Sequence, residues 1–336
     1  MVVLLALIGG LGCGDPQPSG ASMPVAPATR ESRDLDRADK VGAADFDGDG
    51  VDEIVLVQDG VARFGDHAVT LGGEVQVVQR GDPQGTGREV LLLGTGMGRS
   101  DRSAPIRIWS LSDSGPELLL ERDEGRNQVA DLDFVGDRIW AALFGTGKAV
   151  DAGWVTDGSL ERIDSRNLAT AWLPLDGQRR VVGRVYGDRP KAPGDLRVVG
   201  PEGERVLPTL RGVRALSAAD LDGDGHDELL VGDGWHYAYG KQAIARIRVL
   251  QGPDWTQGRT IAMFDDEYTV WSLHVIGDRV LATGSRAVHW LARDGLGWAD
   301  ARVAPVPETG NAVPFRDADG LWALVSGSPA RLVPLD

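Results

Sequence analysis

The sequence predicts an all-β fold: a seven-bladed β-propeller of four-stranded blades, closed by an N-terminal strand that completes the last blade. Three observations predict it. Val- and Leu-rich runs are short and end at Gly, Asp or Pro, as strands do. No long stretch repeats apolar residues at the 3.6-residue helical period. An acidic loop followed at once by an aliphatic strand occurs twice, from Asp45 and from Asp220, 175 residues apart. Four periods of about 44 residues fill that gap, the length of a four-stranded blade.

Further units fall where this period places them. They open at Asp82, Asp131, Trp172, Ser272 and Pro314, and with Asp45 and Asp220 they make seven. The units at Asp131 and Ser272 share a Gly-Asp-Arg turn, at Gly136–Arg138 and Gly277–Arg279, which strengthens the register. After each loop comes a strand ending near Gly, then further strands such as those from Ile106, Ala152, Asp195, Ala245 and Ala287. A more polar fourth strand follows, as from Glu117. The chain stops at a third-strand position, so residues 31–38 are expected to supply the missing strand and remove an open sheet edge.

The two intact loops carry the chemistry. Asp45, Asp47 and Asp49 alternate with other residues, Gly50 allows the reversal, the Val51 carbonyl can turn inward, and Glu53 returns as a fourth carboxylate. Asp220, Asp222, Asp224, the His226 carbonyl and Glu228 repeat the arrangement. Hard oxygen ligands of this number suit Ca²⁺, so two Ca²⁺ sites are expected. An EF-hand is excluded, because position 12 is Leu56 in one loop and Val231 in the other. The alternative is an Asp/Gly turn without metal.

These loops and their flanking strands resemble FG-GAP or VCBS-type repeats, as in integrin α-subunit propellers and many bacterial surface proteins. The resemblance covers residues 31–336 as one ring. It implies that each Asp-rich loop joins the first and second strands of a blade and binds Ca²⁺ through the residues just named. The other units lack those carboxylates, and Asp317 and Asp319 are out of register, so none is assigned metal.

The first twelve residues are apolar and too short to span a membrane as a mature helix. They read as a signal peptide, although the first basic residue is Arg30. Cys13 is the only cysteine and follows this run. The pattern resembles a bacterial lipoprotein signal, with Cys13 lipidated. Ordinary secretion and a buried structural cysteine are the alternatives. Residues 13–30 then form a flexible tether rich in Pro, Ser, Ala and Gly. The implied location is the cell envelope, as an outer-membrane or surface lipoprotein, otherwise the periplasm or medium.

The formal charge of −15 repels phosphate backbones, which argues against nucleic acid as a partner. A ligand face is expected opposite the acidic loops, on long Gly-rich connections. These hold Arg99, Arg102, Lys148, Arg189, Lys191 and Lys241, with the aromatic cluster Trp235, His236, Tyr237 and Tyr239. Exposed aromatics on loops over a rigid scaffold suggest a protein or carbohydrate ligand; the alternative is packing on blade edges. Membrane contact is expected only through the lipid, and the protein is expected to be a monomer.

No zinc-ligand His spacing, nucleophile elbow or phosphate-binding loop occurs. Asp123–Glu124 and Asp265–Glu267 read as solvated turns, and Arg80–Asp82 as a chance Arg-Gly-Asp. The expected role is a non-catalytic binding or scaffold module. The alternatives are an extracytoplasmic enzyme, a polysaccharide lyase or hydrolase, with His236, Tyr237 and Tyr239 as its only nearby candidates, or a calcium-dependent adhesin.

Overall fold

The computed structural model describes residues 30–96, 104–123, 128–144, 149–167, 169–175, 178–184, 194–207, 212–234, 244–294, 297–307 and 310–335. Among them every regular element is a strand, and no helix is long and apolar enough to cross a membrane.

The chain from Glu31 onward is a succession of antiparallel four-strand meanders. After the two-residue β1 (Arg33–Asp34) come β2 (Lys40–Ala44), β3 (Glu53–Gln58), β4 (Val61–Phe64) and β5 (His67–Thr70) as one sheet. Next are β6 (Glu74–Gly81), β7 (Val90–Gly96), β8 (Ile106–Ser112) and β9 (Gly115–Arg122), then β10 (Gln128–Val135), β11 (Arg138–Phe144), β12 (Ala149–Thr156) and β13 (Ser159–Asn167). These two runs merge into one eight-stranded sheet, but β10 meets β7 at a single pair, Gln128 opposite Gly96.

The following sheet holds β14 (Ala169–Pro174), β15 (Arg180–Arg184), β16 (Leu196–Gly200) and β17 (Gly203–Val206). Then come β18 (Ala215–Ala219), β19 (Glu228–Gly234), β20 (Ala245–Leu250) and β21 (Gly258–Phe264). After them are β22 (Val270–Ile276), β23 (Arg279–Gly284), β24 (Ala287–Asp294) and β25 (Gly297–Pro305). The last sheet runs β26 (Ala312–Asp317), β27 (Gly320–Val325), β28 (Arg331–Pro334), and β1 supplies its fourth strand, with Arg33 opposite Leu332 and Asp34 opposite Arg331. Of residues 31–38, only Arg33–Asp34 form this strand; Ala38 adds a separate bridge to Gly327.

Side-chain alternation explains how the sheets pack. Strands half-buried on each face send alternate residues to opposite neighbours. Each apolar cluster accordingly straddles two neighbouring four-strand runs. Phe46, Val55 and Phe64 meet Val75, Leu91 and Leu111, for example, and Trp140 and Trp154 meet Trp172 and Val182. Val41 and Ala43 pack with Val313, Phe315 and Trp322, so the same packing joins the last sheet to the first. The opening strands follow suit: β2 lies against both β6 and β26, and β6, β10, β14, β18 and β22 lie against one another in turn. Four-strand meanders stacked face to face in this way are the architecture of a β-propeller.

The turn after β10 and the turn after β22 share one backbone form, with φ of 60° at both Gly136 and Gly277. Trp109, Trp140, Trp154, Trp271, Trp290 and Trp322 all lie on strands, and Trp140, Trp154, Trp290 and Trp322 are buried.

Candidate functional site

Both acidic loops lie between the first and second strands of their sheets, β2–β3 and β18–β19. Within each, three aspartates converge. One oxygen from each of Asp45, Asp47 and Asp49 lies within 4.8 Å of the others, and the same holds for Asp220, Asp222 and Asp224.

The local backbone produces this convergence. Asp45 Oδ1 accepts the N–H groups of Gly48 (2.7 Å) and Asp49 (3.1 Å), and its Oδ2 accepts Gly50 N–H (2.8 Å). Asp220 does the same with Gly223 (2.7 Å), Asp224 (3.1 Å) and Gly225 (3.0 Å). Asp49 Oδ1 accepts Val51 N–H and Asp224 Oδ1 accepts His226 N–H, each at 2.8 Å. Gly50 and Gly225 sit at φ of 89° and 86°, where a side chain is strained. Two loops 175 residues apart in the chain thus share one amide network.

The three-carboxylate set fits a hard cation. It offers oxygen ligands only, held by backbone amides at the spacing a single ion spans. Asp47, Asp49 and all three aspartates of the second loop are exposed. The backbone of Val51 and His226 lies at position 7 of each loop. Glu53 and Glu228 are placed differently: Glu53 Oε2 accepts Phe46 N–H at 2.7 Å, and Glu228 Oε2 accepts Leu221 N–H at 2.9 Å. Burial pushes the Glu53 carboxyl up, opposed by Phe46 N–H and assisted by Asp47 and Asp45.

The loop at Asp82 shows which bonds survive without the other carboxylates. Asp82 Oδ1 accepts Thr86 N–H (3.1 Å) and Oδ2 accepts Gly87 N–H. Those amides, Gly87 first, hold its carboxyl below the usual range. Asp82 thus makes the turn bonds of the first loop position without the other carboxylates. Arg80, in the same Arg-Gly-Asp stretch, points away from any free loop tip: its Nη1 lies 3.0 Å from Asp52 Oδ2.

Asp52 ties the first loop to both neighbouring sheets. Besides Arg80 of β6, it accepts Arg316 N–H of β26 at 2.7 Å, and its own N–H donates to Arg316 O at 2.8 Å. Sequence reasoning passed over this residue.

The ligand-face residues expected from sequence, Arg99, Arg102, Lys148, Arg189, Lys191, Trp235, His236, Tyr237, Tyr239 and Lys241, lie outside the described residues, as do Cys13 and the segments 1–12 and 13–29. Two acidic groups at the bases of those connections are ion-paired: Asp233 with Arg246, and Asp195 with Arg184 and Arg197.

One reading is corrected. Glu267, expected in a solvated turn, is fully buried. Its Oε1 lies 2.5 Å from His289 Nε2, while His289 Nδ1 faces Asp300 Oδ1 at 3.2 Å, and Phe264 stacks on the imidazole. Asp265 remains exposed. The reversal after Phe264 carries Glu267 onto the adjacent sheet, and no local pattern signals that.

The fold places this chain among β-propellers. A chain of the structure titled "Crystal Structure of Mitotic Checkpoint Complex" is similar over 97% of this chain and 98% of its own length, at 12% identity and a TM-score of 0.51. Chaetomium thermophilum Sqt1 is similar over 85% of this chain and 76% of its own, at 12% identity and a TM-score of 0.48. Likeness at this identity concerns fold alone. No protein-family model and no curated protein matches the sequence.

Proposed function

We propose that this chain is a calcium-stabilised, seven-bladed propeller of FG-GAP/VCBS type, acting without catalysis as a binding or scaffold module at the bacterial cell envelope. Dividing the eight-stranded sheet at its single Gln128–Gly96 pair, and so counting it as two, supports the reading of seven blades. The pairing of β1 with β28 supports a ring closed by the N-terminal strand. Residues 31–336 would form that ring, residues 1–12 a signal peptide, and Cys13 the lipid-bearing end of a tether. The ligand would be a protein or a carbohydrate, met by a monomer through the connections opposite the acidic loops.

One observation carries the calcium reading: the same amide network gathers three aspartate oxygens in both loops. A cation bound there stabilises the folded state by mass action. Chelation is expected to lower Tm, and readdition of Ca²⁺ to restore it, with two equivalents found by elemental analysis. Asp47→Ala and Asp222→Ala should each lose one. An unchanged melt with no bound calcium defeats the reading. A glycan and protein-partner screen with and without Ca²⁺ tests the binding role; no Ca²⁺-sensitive hit across both sets counts against it.

A further inference from the structure

We propose that the seam between the run β10–β13 and the sheet β14–β17 holds a water-binding site, built by the indole N–H groups of Trp140 and Trp172 and the carboxylate of Asp133. The site is independent of the calcium reading. Trp140 and Trp172 are 3% and 2% exposed. Among the described residues their Nε1–H groups meet no hydrogen-bond acceptor. Three other indoles find one: Trp109 donates to Leu71 O, Trp255 to Asp227 O and Trp322 to Asp317 Oδ1. Trp271 and Trp298 lack one too, on residues that keep more exposure. Buried donors are satisfied by protein or by bound water in nearly every protein, so the acceptor for Trp140 and Trp172 comes from outside the chain.

The strand register shows how the Trp140 donor loses its acceptor. Trp140 is the third residue of β11 and Trp322 the third of β27, each following a two-residue turn. In the last sheet Trp322 lies opposite Phe315, and Asp317, two residues on and on the same face, takes the indole N–H. In the earlier run Trp140 lies opposite Asp133, and the place of Asp317 falls to Val135, whose side chain accepts nothing. The Trp172 ring centroid is 6.3 Å from that of Trp140. A single oxygen about 2.9 Å from each N–H group can bridge rings so spaced. Asp133 shares a face with Trp140, and Cβ atoms of such cross-strand pairs lie about 5 Å apart. Its Oδ1 accepts Phe134 N–H and Gln79 Nε2, while Oδ2 takes no donor among the described residues. The chemistry of the occupant follows. Two N–H groups require lone pairs, and the carboxylate oxygen calls for a proton donor. A cation is repelled by the N–H ends and an anion by the carboxylate. Water offers two lone pairs and two protons, and it fits between side chains this closely packed. Asp131, which accepts the Trp172 backbone N–H at 2.7 Å, and Asp133 are half-buried and leave a polar way in.

The test uses the full chain labelled with nitrogen-15 tryptophan, its indole signals assigned through Trp140→Phe and Trp172→Phe. Both indole N–H signals should show cross-peaks to water, of opposite sign in NOE and ROE spectra, the mark of a long-lived bound molecule rather than of proton exchange. Val135→Asn places an acceptor where Asp317 serves Trp322, so the Trp140 water cross-peak should disappear in the folded variant. A crystal structure of the parent checks the same site without a variant: one water oxygen should lie within about 3.2 Å of both Nε1 atoms. Water cross-peaks missing from either indole overturn the inference. So does a seam filled by an ion or by protein atoms alone, or a Trp140 cross-peak that survives in folded Val135→Asn.

Discussion

Arg33 Nη2 donates to Asp319 Oδ2 at 2.9 Å, joining residues 286 apart in the chain. Arg33 Nη1 also reaches Asp317 Oδ2 at 3.3 Å, and the guanidinium lies 4.6 Å over the Trp322 ring. An arginine of the closing strand therefore neutralises the two aspartates at the turn between β26 and β27. The first strand–strand turn of this last sheet is served by an internal cation. Asp317 Oδ1 is meanwhile taken by Trp322 Nε1–H and by the N–H groups of Asp319 and Gly320.

Arg33→Ala should loosen this closure. The guanidinium is half-exposed, so solvent screens the ion pairs, and the expected loss is about 1 kcal/mol, part of it from the indole face. Calorimetry should show Tm lower by about 1–3 °C, with Arg33→Lys intermediate. A melt unchanged by Arg33→Ala rejects the latch.

Stability should fall on the alkaline side through His289. Burial disfavours its charged form, but hydrogen bonds to Asp300 and Glu267 outweigh that and push its pKa up to about 9. The unfolded value is about 6.5. A folded pKa above the unfolded one means that the contribution is complete below about pH 6.5 and disappears as pH rises through 9. Urea denaturation should register a loss of roughly 3 kcal/mol across that window. His289→Gln should remove this part of the slope; a parent curve that stays level from pH 6.5 to 9 would falsify the assignment.

Gly284→Ala should damage the same cluster sterically. A Cβ at Gly284 would collide with the Glu267 carboxylate. Forced overpacking of this kind costs about 1–3 kcal/mol. Glu267 displaced from His289 would also flatten the alkaline slope. A variant with parental stability and parental pH profile contradicts the packing described here.

Asp131→Asn should stabilise the protein, increasingly so at higher pH. Asp131 keeps some surface but sits deep among the opening strands, and burial raises its pKa to about 8. Asp133 adds to the rise, and the N–H groups of Trp172 and Leu132 oppose it. The folded state thus retains a proton that the unfolded carboxyl releases near pH 4, and stability declines as pH climbs from there to about 8. Asparagine still accepts the Trp172 N–H and does not ionise. The expected gain is roughly 1–2 kcal/mol at pH 8 and none at pH 3.5. An equal gain at both pH values points to a different cause.

Strand positions were legible because their signal is local. The runs from Ile106, Ala152, Ala245 and Ala287 read as strands from their apolar content and their Gly and Asp boundaries, and all four lie within strands. The repeat spacing brought out the four-strand meanders. The aspartate clusters were legible as well: Asp45 and Asp220 fold their turns through amides three to five residues ahead, so composition over a few residues dictates the geometry. The bonds from Glu53 and Glu228 to the Phe46 and Leu221 N–H groups were less legible, because spacing alone does not say which amide a carboxylate meets. Glu267 was misread because its environment comes from another sheet.

The sequence by itself determined strands, turns and the convergence of the aspartates, since each depends on side chains and amides within one short segment. The tertiary structure alone decided that Arg33 meets Asp319, that Asp52 joins β6 to β26, and that Glu267 is buried against His289. Those pairings link groups that become neighbours only when successive sheets stack, and the cost of leaving a buried charge unpaired is set by that stacking.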